Sequence, residues 1–484
     1  MILYRSRRRY KGGLDLSRQA QHAASPWLPQ IPSSGAPWAN RLADAIAADV
    51  ASGRLAPGDQ LPTQRALAQH LGITTGTVNR GYAIAERAGV VTAEVGRGTF
   101  VALSDNVTAQ STGLVPRMAS AIDMGLNYPV GNEAEQALSN VLPRLAKRGS
   151  AGLLGLSPYE GRPKHRAAGA RWLQHLGLSA SEEQVILCAS VQHGLAATLA
   201  AIVAPGDVVL TESLTSPGIK ALAAMHHLRL VAVEGDSKGI LPEALAEACR
   251  TSKARLLYTM PTLHTPTTIT MPDERRRSIA DVLRQQSLVA IEDDAWGFLA
   301  VDSVTPLHTF APENVVYVTS VSKSLAPGLR VGYIVAPKTL QRSITSCIGT
   351  MTWTSPLMAE VVTQWIEDGT AVSIAKQRAE TAGKRLQLAS KMLGRSFARP
   401  RTPAYHLWLP LTEPWRADDF VNHAATLGVS LAPTDMFVPG RASTPHAIRV
   451  CLGTEPDIDR VEQGLGTIAR MLKSGPAGYS SFRL

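Results

Sequence analysis

The stretch VVYVTSVSKSLAPGLRVGYIVAP, residues 315–337, decides the fold of the larger part of this chain. Its valine-rich start predicts a buried strand, which ends in Ser320, Ser322 and Lys323. Arg330 follows seven residues after the lysine. A lysine at the carboxyl end of a core strand needs a reason, because lysine side chains are rarely buried.

The residue types alone leave two interpretations of Lys323 open. In one, the amine is desolvated near another cation, so its pKa falls and it attacks an aldehyde to form a Schiff base. The serine hydroxyls and the guanidinium of Arg330 would then hold a phosphate dianion. In the other, the segment is a surface loop with ordinary charges. Two further stretches favour the first interpretation.

The stretch SLVAIEDDAWGFL, residues 287–299, places Asp293 at the end of another predicted core strand, where a carboxylate is costly without a partner. Pyridoxal phosphate (PLP) requires such a carboxylate beside its ring nitrogen, because the protonated ring is the electron sink. The stretch LCASVQHGLAATLAAI, residues 187–202, predicts a strand, a short turn and a helix start. Three backbone amides at that helix start suit a phosphate, those of Ser190, Val191 and Gln192.

The chain around these stretches, from residue 121 to 473, alternates short Val/Ile/Leu-rich runs with helical segments. This alternation predicts an α/β fold with a mostly parallel sheet covered on both faces. From about residue 370, a long polar helix followed by AYHLWLPL and HAIRVCLG predicts a smaller α+β subdomain, residues 370–473. Residues 474–484 are predicted to form a disordered tail.

The first part of the chain follows a different pattern, that of a small helical module over residues 37–103. Helical periodicity begins at Trp38 and stops near residues 52–53, and a second helix is predicted over 64–70 with Thr63 as its N-cap. A third helix over about 75–87 completes a helix-turn-helix. Two short strands around the sequence GRG at residues 96–98 form a hairpin, or wing. Residues 1–36 are predicted to be a basic disordered tail, and residues 104–120 a linker.

Composition limits the class of protein. The chain has 484 residues, 45% of them apolar and 18% charged, so it can bury a core. It contains no run of the roughly 18 apolar residues that a membrane span needs, and its four cysteines stand singly. We therefore expect a cytoplasmic protein with reduced thiols, no metal site and no membrane association. The net charge is +10, and residues 1–103 carry 12 basic and 6 acidic residues, which leaves +6 there. That layout is typical of a nucleic-acid-binding module joined to a larger body.

Two family resemblances follow from these residues. The segments GRLAPGDQLPTQRALAQHLGITTGTVNRGYAIAERAGVV (53–91) and GRGTFV (96–101) resemble the winged helix-turn-helix of the GntR regulators. Residues 121–473 resemble the fold-type I aminotransferases, on the stretches above and on YEGRPKHRAAGARWL, APGDVVLTESLTSPG, MPTLHTPTT and IRVCLG. Together the two parts resemble the MocR subfamily of GntR regulators, which fuse such domains.

The aminotransferase resemblance implies roles for particular residues. It implies Lys323 as the Schiff-base lysine and Asp293 as the partner of the pyridinium nitrogen. It also implies that Arg449 holds the carboxylate of a substrate or effector; a salt bridge in the small subdomain is the alternative role of Arg449. The phosphate contacts that it implies are Ser320, Ser322 and Arg330.

The chain departs from the aminotransferase pattern at four contact positions. Leu156 stands where the family often has a tyrosine that reaches the phosphate, and Ser216 stands where it has an aromatic residue that stacks on the ring. Thr265 replaces the asparagine that the family has near the ring oxygen, and Trp296 replaces its tyrosine three residues after the aspartate. Tryptophan can donate a hydrogen bond but cannot act as a phenolate. Each change removes stacking or hydrogen bonding worth about 0.5–1.5 kcal/mol. We therefore expect PLP binding through the remaining residues, Thr265 and Trp296 included, but weakened transamination.

The GntR resemblance implies the DNA contacts. Arg65 matches the arginine that the family uses against DNA, and the predicted recognition helix starts at residues 74–77. Threonines there reach phosphates or base edges from a helix amino terminus. Val78 and Tyr82 are predicted core residues of the three-helix unit, and Arg80 is predicted to lie either at the DNA or in that core. The candidate DNA-binding residues are Arg65, Thr74, Thr75, Thr77, Arg80, Arg97 and Gly98.

The leading functional hypothesis is a PLP-dependent transcription regulator. An effector, an amino acid or PLP itself, would bias DNA binding by preferring one arrangement of the two modules. The resemblance implies a homodimer, and two winged helices predict an operator of double-stranded DNA with two half-sites. Two alternatives remain: an aminotransferase with an appended DNA-binding module, and a regulator whose large domain has lost PLP and binds another ligand.

Overall fold

The computed structural model describes residues 27–29, 31, 37–51, 54–55, 59–87, 90–94, 98–101, 121–129, 131–148, 152–300, 304–440 and 445–475. The predicted linker and Arg97 lie outside these residues, as do almost all of the two predicted tails. The chain divides into two compact units, Met1–Val107 and Thr108–Leu484. None of the helices in the described part has the length and apolar character that a membrane span requires.

The first unit contains the three predicted helices and the predicted hairpin. Gly72 ends the second helix at a φ of +65°, a conformation that favours glycine because it has no Cβ. The Thr63 hydroxyl caps the same helix by accepting a hydrogen bond from the backbone N–H of Ala66. The elements are α1 (Trp38–Ala51), α2 (Gln64–Leu71), α3 (Thr75–Arg87), and the antiparallel strands β1 (Val91–Glu94) and β2 (Gly98–Val101).

A small apolar core holds this unit together. Leu42 and Ile46 of α1 are fully buried with Leu67 of α2. Val78 and Tyr82 of α3 complete the core, as predicted, and the Tyr82 hydroxyl donates to the carbonyl of Pro62 at 2.8 Å. The inner face of α3 is therefore used for packing, and its other side is available for a partner.

The second unit is built from fourteen strands and thirteen helices among the described residues. The strands are β3 (Ile122–Asp123), β4 (Val185–Cys188), β5 (Val208–Glu212), β6 (Arg229–Val233), β7 (Gly235–Asp236), β8 (Gly239–Ile240), β9 (Leu256–Thr259), β10 (Val289–Asp293), β11 (Val315–Ser320), β12 (Gly332–Val335), β13 (His406–Pro410), β14 (Val429–Ser430), β15 (Ala432–Pro433) and β16 (Ala447–Cys451). The helices are α4 (Glu133–Arg148), α5 (Pro163–His175), α6 (Val191–Ile202), α7 (Pro217–Met225), α8 (Pro242–Ser252), α9 (Asp273–Gln285), α10 (Leu307–Phe310), α11 (Val321–Ser324), α12 (Lys338–Met351), α13 (Pro356–Glu367), α14 (Thr370–Leu393), α15 (Ala417–Thr426) and α16 (Ile458–Ser474).

Seven of these strands form the main sheet, in the order β4-β12-β11-β10-β9-β5-β6. Strand β12 is antiparallel to both of its neighbours, so the other six strands run in one direction. Both faces of the sheet are covered. Along β9, Leu256 and Tyr258 pack into one apolar cluster and Leu257 into another, because successive side chains point to opposite faces.

The shared strand direction explains where the site lies. The carboxyl ends of parallel strands meet at one edge of a sheet, which is where ligands bind in α/β folds. The residues that this edge brings together are Cys188, Glu212, Thr259, Asp293 and Ser320.

The smaller subdomain is formed by β13, β16 and β15 with α14 and α16 packed against it. It also takes in a segment far upstream of the predicted start at about residue 370. Strand β3 pairs with β14, with Ile122 opposite Val429, and Met124 is fully buried in the same apolar cluster. The large part of the second unit is therefore inserted between two pieces of the subdomain.

Candidate functional site

Lys323 lies on α11, the single helical turn that follows β11. Its Nζ donates a hydrogen bond to the carbonyl oxygen of Asn127 and lies 3.3 Å from the ring centroid of Tyr128 and 5.0 Å from that of Trp296. Burial lowers the pKa of this amine to about 7, and the positive charge of Arg449 adds to the effect. A substantial fraction of the amine is therefore neutral, and nucleophilic, at neutral pH.

Asp293, the last residue of β10, is only 4% exposed. Its Oδ2 accepts a hydrogen bond of 2.7 Å from the hydroxyl of Tyr258, and its Oδ1 has no partner among the described residues. Burial raises the pKa of this carboxyl to about 7. The free oxygen can accept a hydrogen bond from a protonated ring nitrogen.

The predicted phosphate cradle is assembled at the start of α6. The Ser190 hydroxyl caps the helix by accepting from the His193 backbone N–H at 3.1 Å, and Arg330 Nη2 donates to the same hydroxyl at 3.1 Å. Val191 and Gln192 occupy the first turn, where backbone N–H groups have no partner within the helix. The structure thus places a guanidinium 140 residues away in sequence beside this helix terminus.

Four other residues are predicted to contact the cofactor, and all four are buried. Ser320 and Ser322 flank the start of α11, are 5% and 3% exposed, and the Ser322 hydroxyl has no partner in the described part of the chain. Thr265 is 7% exposed. Trp296 is 2% exposed and packs near Lys323 and His406, so its ring is a wall of the lysine pocket.

The two departures at Leu156 and Ser216 also have clear positions. Leu156 is 84% exposed, so within a single chain it makes no enclosed contact. Ser216 caps α7 by accepting a hydrogen bond from the Gly218 backbone N–H at 3.2 Å. A serine at this position therefore stabilises a helix start and offers no ring for stacking.

Arg449 lies in β16 and is 6% exposed. Its Nη2 donates to the carbonyl of Gly125 at 2.7 Å, its guanidinium lies 4.8 Å from the Phe437 ring centroid, and its Nε has no partner in the described residues. The alternative of a salt bridge finds no support in these contacts, because each of them is to a carbonyl or a ring. A buried cation without a carboxylate partner is suited to binding an anionic group.

Three residues of the site were not found by sequence reasoning. Tyr258 bonds to Asp293, and Asn127 accepts from Lys323. His406 makes one contact through each ring nitrogen. Its Nδ1 lies 3.1 Å from Asn127 Nδ2, and its Nε2 lies 3.2 Å from the carbonyl oxygen of His264. The sequence does contain a feature that points to Tyr258, because its hydroxyl interrupts an apolar strand that lies next to the strand of Asp293. No such feature points to Asn127, because nothing local in the sequence links it to a lysine 196 residues later.

The residues present fit PLP. An amine with a depressed pKa, a carboxylate with one free buried oxygen and an arginine beside a helix amino terminus lie at the same sheet edge. The free oxygen of Asp293 and the free hydroxyl of Ser322 are buried polar atoms that a bound group would satisfy.

The first unit presents the predicted recognition helix α3. Thr75 and Arg80 are exposed, and Thr77 is half-buried. Thr74 caps α3, since its hydroxyl accepts from the Thr77 backbone N–H at 3.2 Å and lies 2.9 Å from the Thr77 hydroxyl. Arg65 is exposed on α2.

The described part of the wing includes Gly98 but not Arg97. Gly98 has a φ of +124°, and a Cβ at this position would lie 2.7 Å from the side-chain amide of Gln60. The backbone conformation therefore favours glycine here, whereas the Gln60 side chain could move aside for a Cβ.

Comparison with known proteins agrees with this division. Residues 38–101 match the family of bacterial regulatory proteins called gntR, and residues 120–465 match aminotransferase class I and II. The chain is 30% identical over 455 residues to the uncharacterized HTH-type transcriptional regulator YdeF of Bacillus subtilis, covering 92% of this chain and 96% of YdeF. It is 26% identical over 436 residues to the uncharacterized HTH-type transcriptional regulator YdcR of Escherichia coli, covering 83% and 92%.

The fold of the second unit is found in solved aminotransferases. An archaeal alanine:glyoxylate aminotransferase superposes with a TM-score of 0.69 at 20% identity, covering 81% of this chain and 98% of that one. This likeness shows the fold, which is fold-type I. A GntR helix-turn-helix joined to an aminotransferase class I and II domain defines a class of DNA-binding regulators. The chain belongs to that class, the MocR subfamily of the GntR regulators.

Proposed function

We propose that the second unit of this regulator binds PLP at the edge formed by β10, β11 and α6, and that the bound state controls DNA binding by the first unit. The observation that carries the proposal is the convergence of Lys323, Asp293 and the Ser190–Arg330 pair at one sheet edge. When bound, PLP supplies an aldehyde for the lysine and an electron-withdrawing ring.

Each residue would act on a different part of the cofactor. Lys323 binds covalently through Nζ, and Asp293 holds a proton on the ring nitrogen through Oδ1. Ser190, the first-turn amides of α6 and Arg330 hold the phosphate, with Ser320 and Ser322 beside them. Trp296 excludes water from the lysine, which keeps the amine desolvated.

The effector is proposed to bind next to the cofactor, with its carboxylate on Arg449. The position of Arg449 supports this, because its charge is close enough to lower the pKa of Lys323. An amino acid fits that chemistry, and PLP itself is the other candidate effector. We also propose that the protein acts in the cytoplasm, and its DNA-binding unit supports this location.

We also propose a homodimer that binds an operator with two half-sites. Large apolar side chains are exposed on two segments, the loop before α5 and the residues after α12. Leu154 and Leu156, both on the loop before α5, are 83% and 84% exposed. Tyr159, 49% exposed, lies with its ring centroid 6.2 Å from that of Trp353. Exposed apolar side chains of this size mark interaction surfaces. Sedimentation equilibrium measures the mass of the protein in solution. The mass of two chains is expected, and the mass of one chain would contradict the homodimer.

A working aminotransferase is less well supported than a regulator. The capping role of Ser216 and the exposure of Leu156 leave two ring and phosphate contacts unmade within the chain. Incubation with amino acids and an oxo-acid acceptor separates the two functions, since a regulator forms no product beyond one equivalent. A colourless protein after addition of PLP would instead favour a large domain that binds another ligand.

The proposed function is tested by DNA binding. Genomic fragments enriched by the purified full chain provide the operator, and its affinity is measured with and without PLP and with each amino acid. We expect PLP or one amino acid to change the operator affinity. An affinity that none of these ligands alters would contradict the proposed control.

Arg65→Ala is expected to weaken operator binding by roughly tenfold or more, because one arginine contact to DNA is worth about 1–3 kcal/mol. If Arg65 contacts a phosphate, the salt dependence of binding also falls by about one unit of slope. Fluorescence anisotropy at several salt concentrations measures both quantities. His70→Ala, an exposed change about 140° around the same helix, is the control. Equal affinities for the Arg65 variant and the unaltered chain would remove this residue from the interface.

PLP affinity is expected to fall as the pH drops through about 7. The carboxylate of Asp293 and the amine of Lys323 both become protonated in that range. The Tyr258 hydroxyl lowers the pKa of Asp293, so Tyr258→Phe raises that pKa further and moves the midpoint to higher pH. Absorbance titrations with PLP at pH 5.5 to 9 measure the midpoint. Tyr317→Phe, which frees the neighbouring Asp294, is the matched control and should not move the midpoint upward. A downward shift in the Tyr258 variant would be inconsistent with the assigned hydrogen bond.

A further inference from the structure

A half-open cavity of about 170 Å³ lies at the carboxyl ends of β5 and β9. The β7–β8 hairpin and the loop before α9 complete its lining, from which the predicted cofactor residues are absent. Its apolar walls are Val233, Ile240, Met260, Ile269 and Met271.

The size and walls of the cavity fit a small ring. An apolar protein cavity of about 150 Å³ is large enough to bind benzene. This cavity is slightly larger, so it accommodates a six-membered ring with a short substituent.

Two buried polar atoms distinguish this cavity from a purely apolar one. Glu212 Oε1 accepts hydrogen bonds from Thr259 Oγ1 at 2.5 Å and from the Met260 N–H at 2.9 Å, while its Oε2 has no partner among the described residues. His264 Nε2 also lacks a partner there and lies 3.9 Å from Glu212 Oε2. Both residues line the cavity.

The charge that faces the cavity is negative. His264 is 5% exposed, and burial lowers its pKa, so the ring is neutral at pH 7. His264 Nδ1 and Thr267 Oγ1 are joined by a hydrogen bond of 2.7 Å. Asp236 at the rim is paired with Arg275 at 2.9 Å. The unsatisfied carboxylate oxygen of Glu212 therefore decides which ligand charge is favoured.

We propose that this cavity is a second ligand site, which takes a small organic ammonium ion with an apolar body about the size of benzene. The ammonium group donates to Glu212 Oε2, and the ring packs between Val233, Ile240 and Met271. Carboxylates are excluded, because they would meet an unpaired carboxylate in a buried position. This cavity adjoins the proposed PLP site, because Glu212 and Asp293 lie at the same sheet edge, but none of the predicted cofactor residues lines it.

The test is a titration of the full chain with benzylammonium, followed by calorimetry or saturation-transfer NMR. The protein is first treated with borohydride, which reduces any bound aldehyde so that the amine cannot condense with it. We expect saturable binding with one site per chain. Glu212→Gln keeps the shape and an acceptor at Oε1, and it should weaken benzylammonium binding by roughly tenfold or more while changing benzyl alcohol binding far less.

Two further variants keep the result interpretable. Ile240→Phe fills the cavity and should abolish the binding of both compounds, and Glu243→Gln, an exposed change on α8 outside the lining, should alter neither. Circular dichroism and thermal unfolding confirm that each variant is folded. The absence of saturable binding at millimolar benzylammonium, or affinities that Glu212→Gln and Ile240→Phe leave unchanged, would overturn the proposal, as would equally tight binding of benzoate. PLP binding is read separately by visible absorbance, so failure at one site is not mistaken for failure at the other.

Discussion

Lys323→Ala is expected to abolish the covalent attachment of PLP. The unaltered chain, mixed with PLP, should gain visible absorbance and, after borohydride reduction, a single labelled peptide that contains residue 323. The amine is suited to this reaction because burial lowers its pKa to about 7 and Trp296 and Tyr128 enclose it. Without it, only the noncovalent contacts at Ser190, Arg330 and Asp293 remain.

The control for this prediction is Lys338→Ala, which removes an exposed lysine at the start of α12. It should leave the absorbance and the labelled peptide as they are. A single label on another lysine of the unaltered chain, or a labelled peptide of the same yield in the Lys323 variant after borohydride, would refute the assignment of the site.

Arg276→Met is expected to lower the free energy of unfolding by about 3–5 kcal/mol. Arg276 and Glu292 are both fully buried, with Nη1 3.4 Å from Oε1. The arginine also donates to the carbonyls of Met271 and Pro261, each at 2.8 Å, and so holds both ends of the loop that carries His264 and Thr265. Removing it leaves a buried carboxylate without its cation.

Urea unfolding followed by tryptophan fluorescence measures this loss. Arg277→Met is the matched control, since that neighbouring arginine is exposed and contacts only the Phe310 ring, at 4.9 Å, among the contacts described for it. The loss should be larger at pH 8 than at pH 5, because loss of the arginine raises the pKa of Glu292 and acid neutralises the stranded carboxylate. The double variant Arg276→Met/Glu292→Leu should recover part of the stability. A loss in Arg276→Met no larger than in Arg277→Met would contradict the role of this pair.

The predicted positions of residues at strand ends are confirmed, whereas the roles of those residues toward PLP stay predictions. Asp293 and the Ser190–Gln192 turn could be placed because an apolar run that stops at a polar residue marks both the strand and its end. The three helices and the wing of the first unit were predicted for a similar reason, since their boundaries carry local signals such as Thr63 and Gly72. The contacts of Arg65, Arg80 and Arg97 with DNA stay predictions.

The amino-acid sequence by itself determined the two-part organisation and the strand-helix alternation, and it predicts the single residues that would contact PLP. Only the tertiary structure decided which distant groups meet them: Asn127 at Lys323, Tyr258 at Asp293, and β3 against β14 in the small subdomain. The physical reason is that periodicity and capping act over a few residues, whereas these pairings join segments that come together only when the sheet and its covering helices pack. The cavity beside Glu212 also required the tertiary structure, since its walls come from three separate segments, residues 212–214, 233–240 and 260–271.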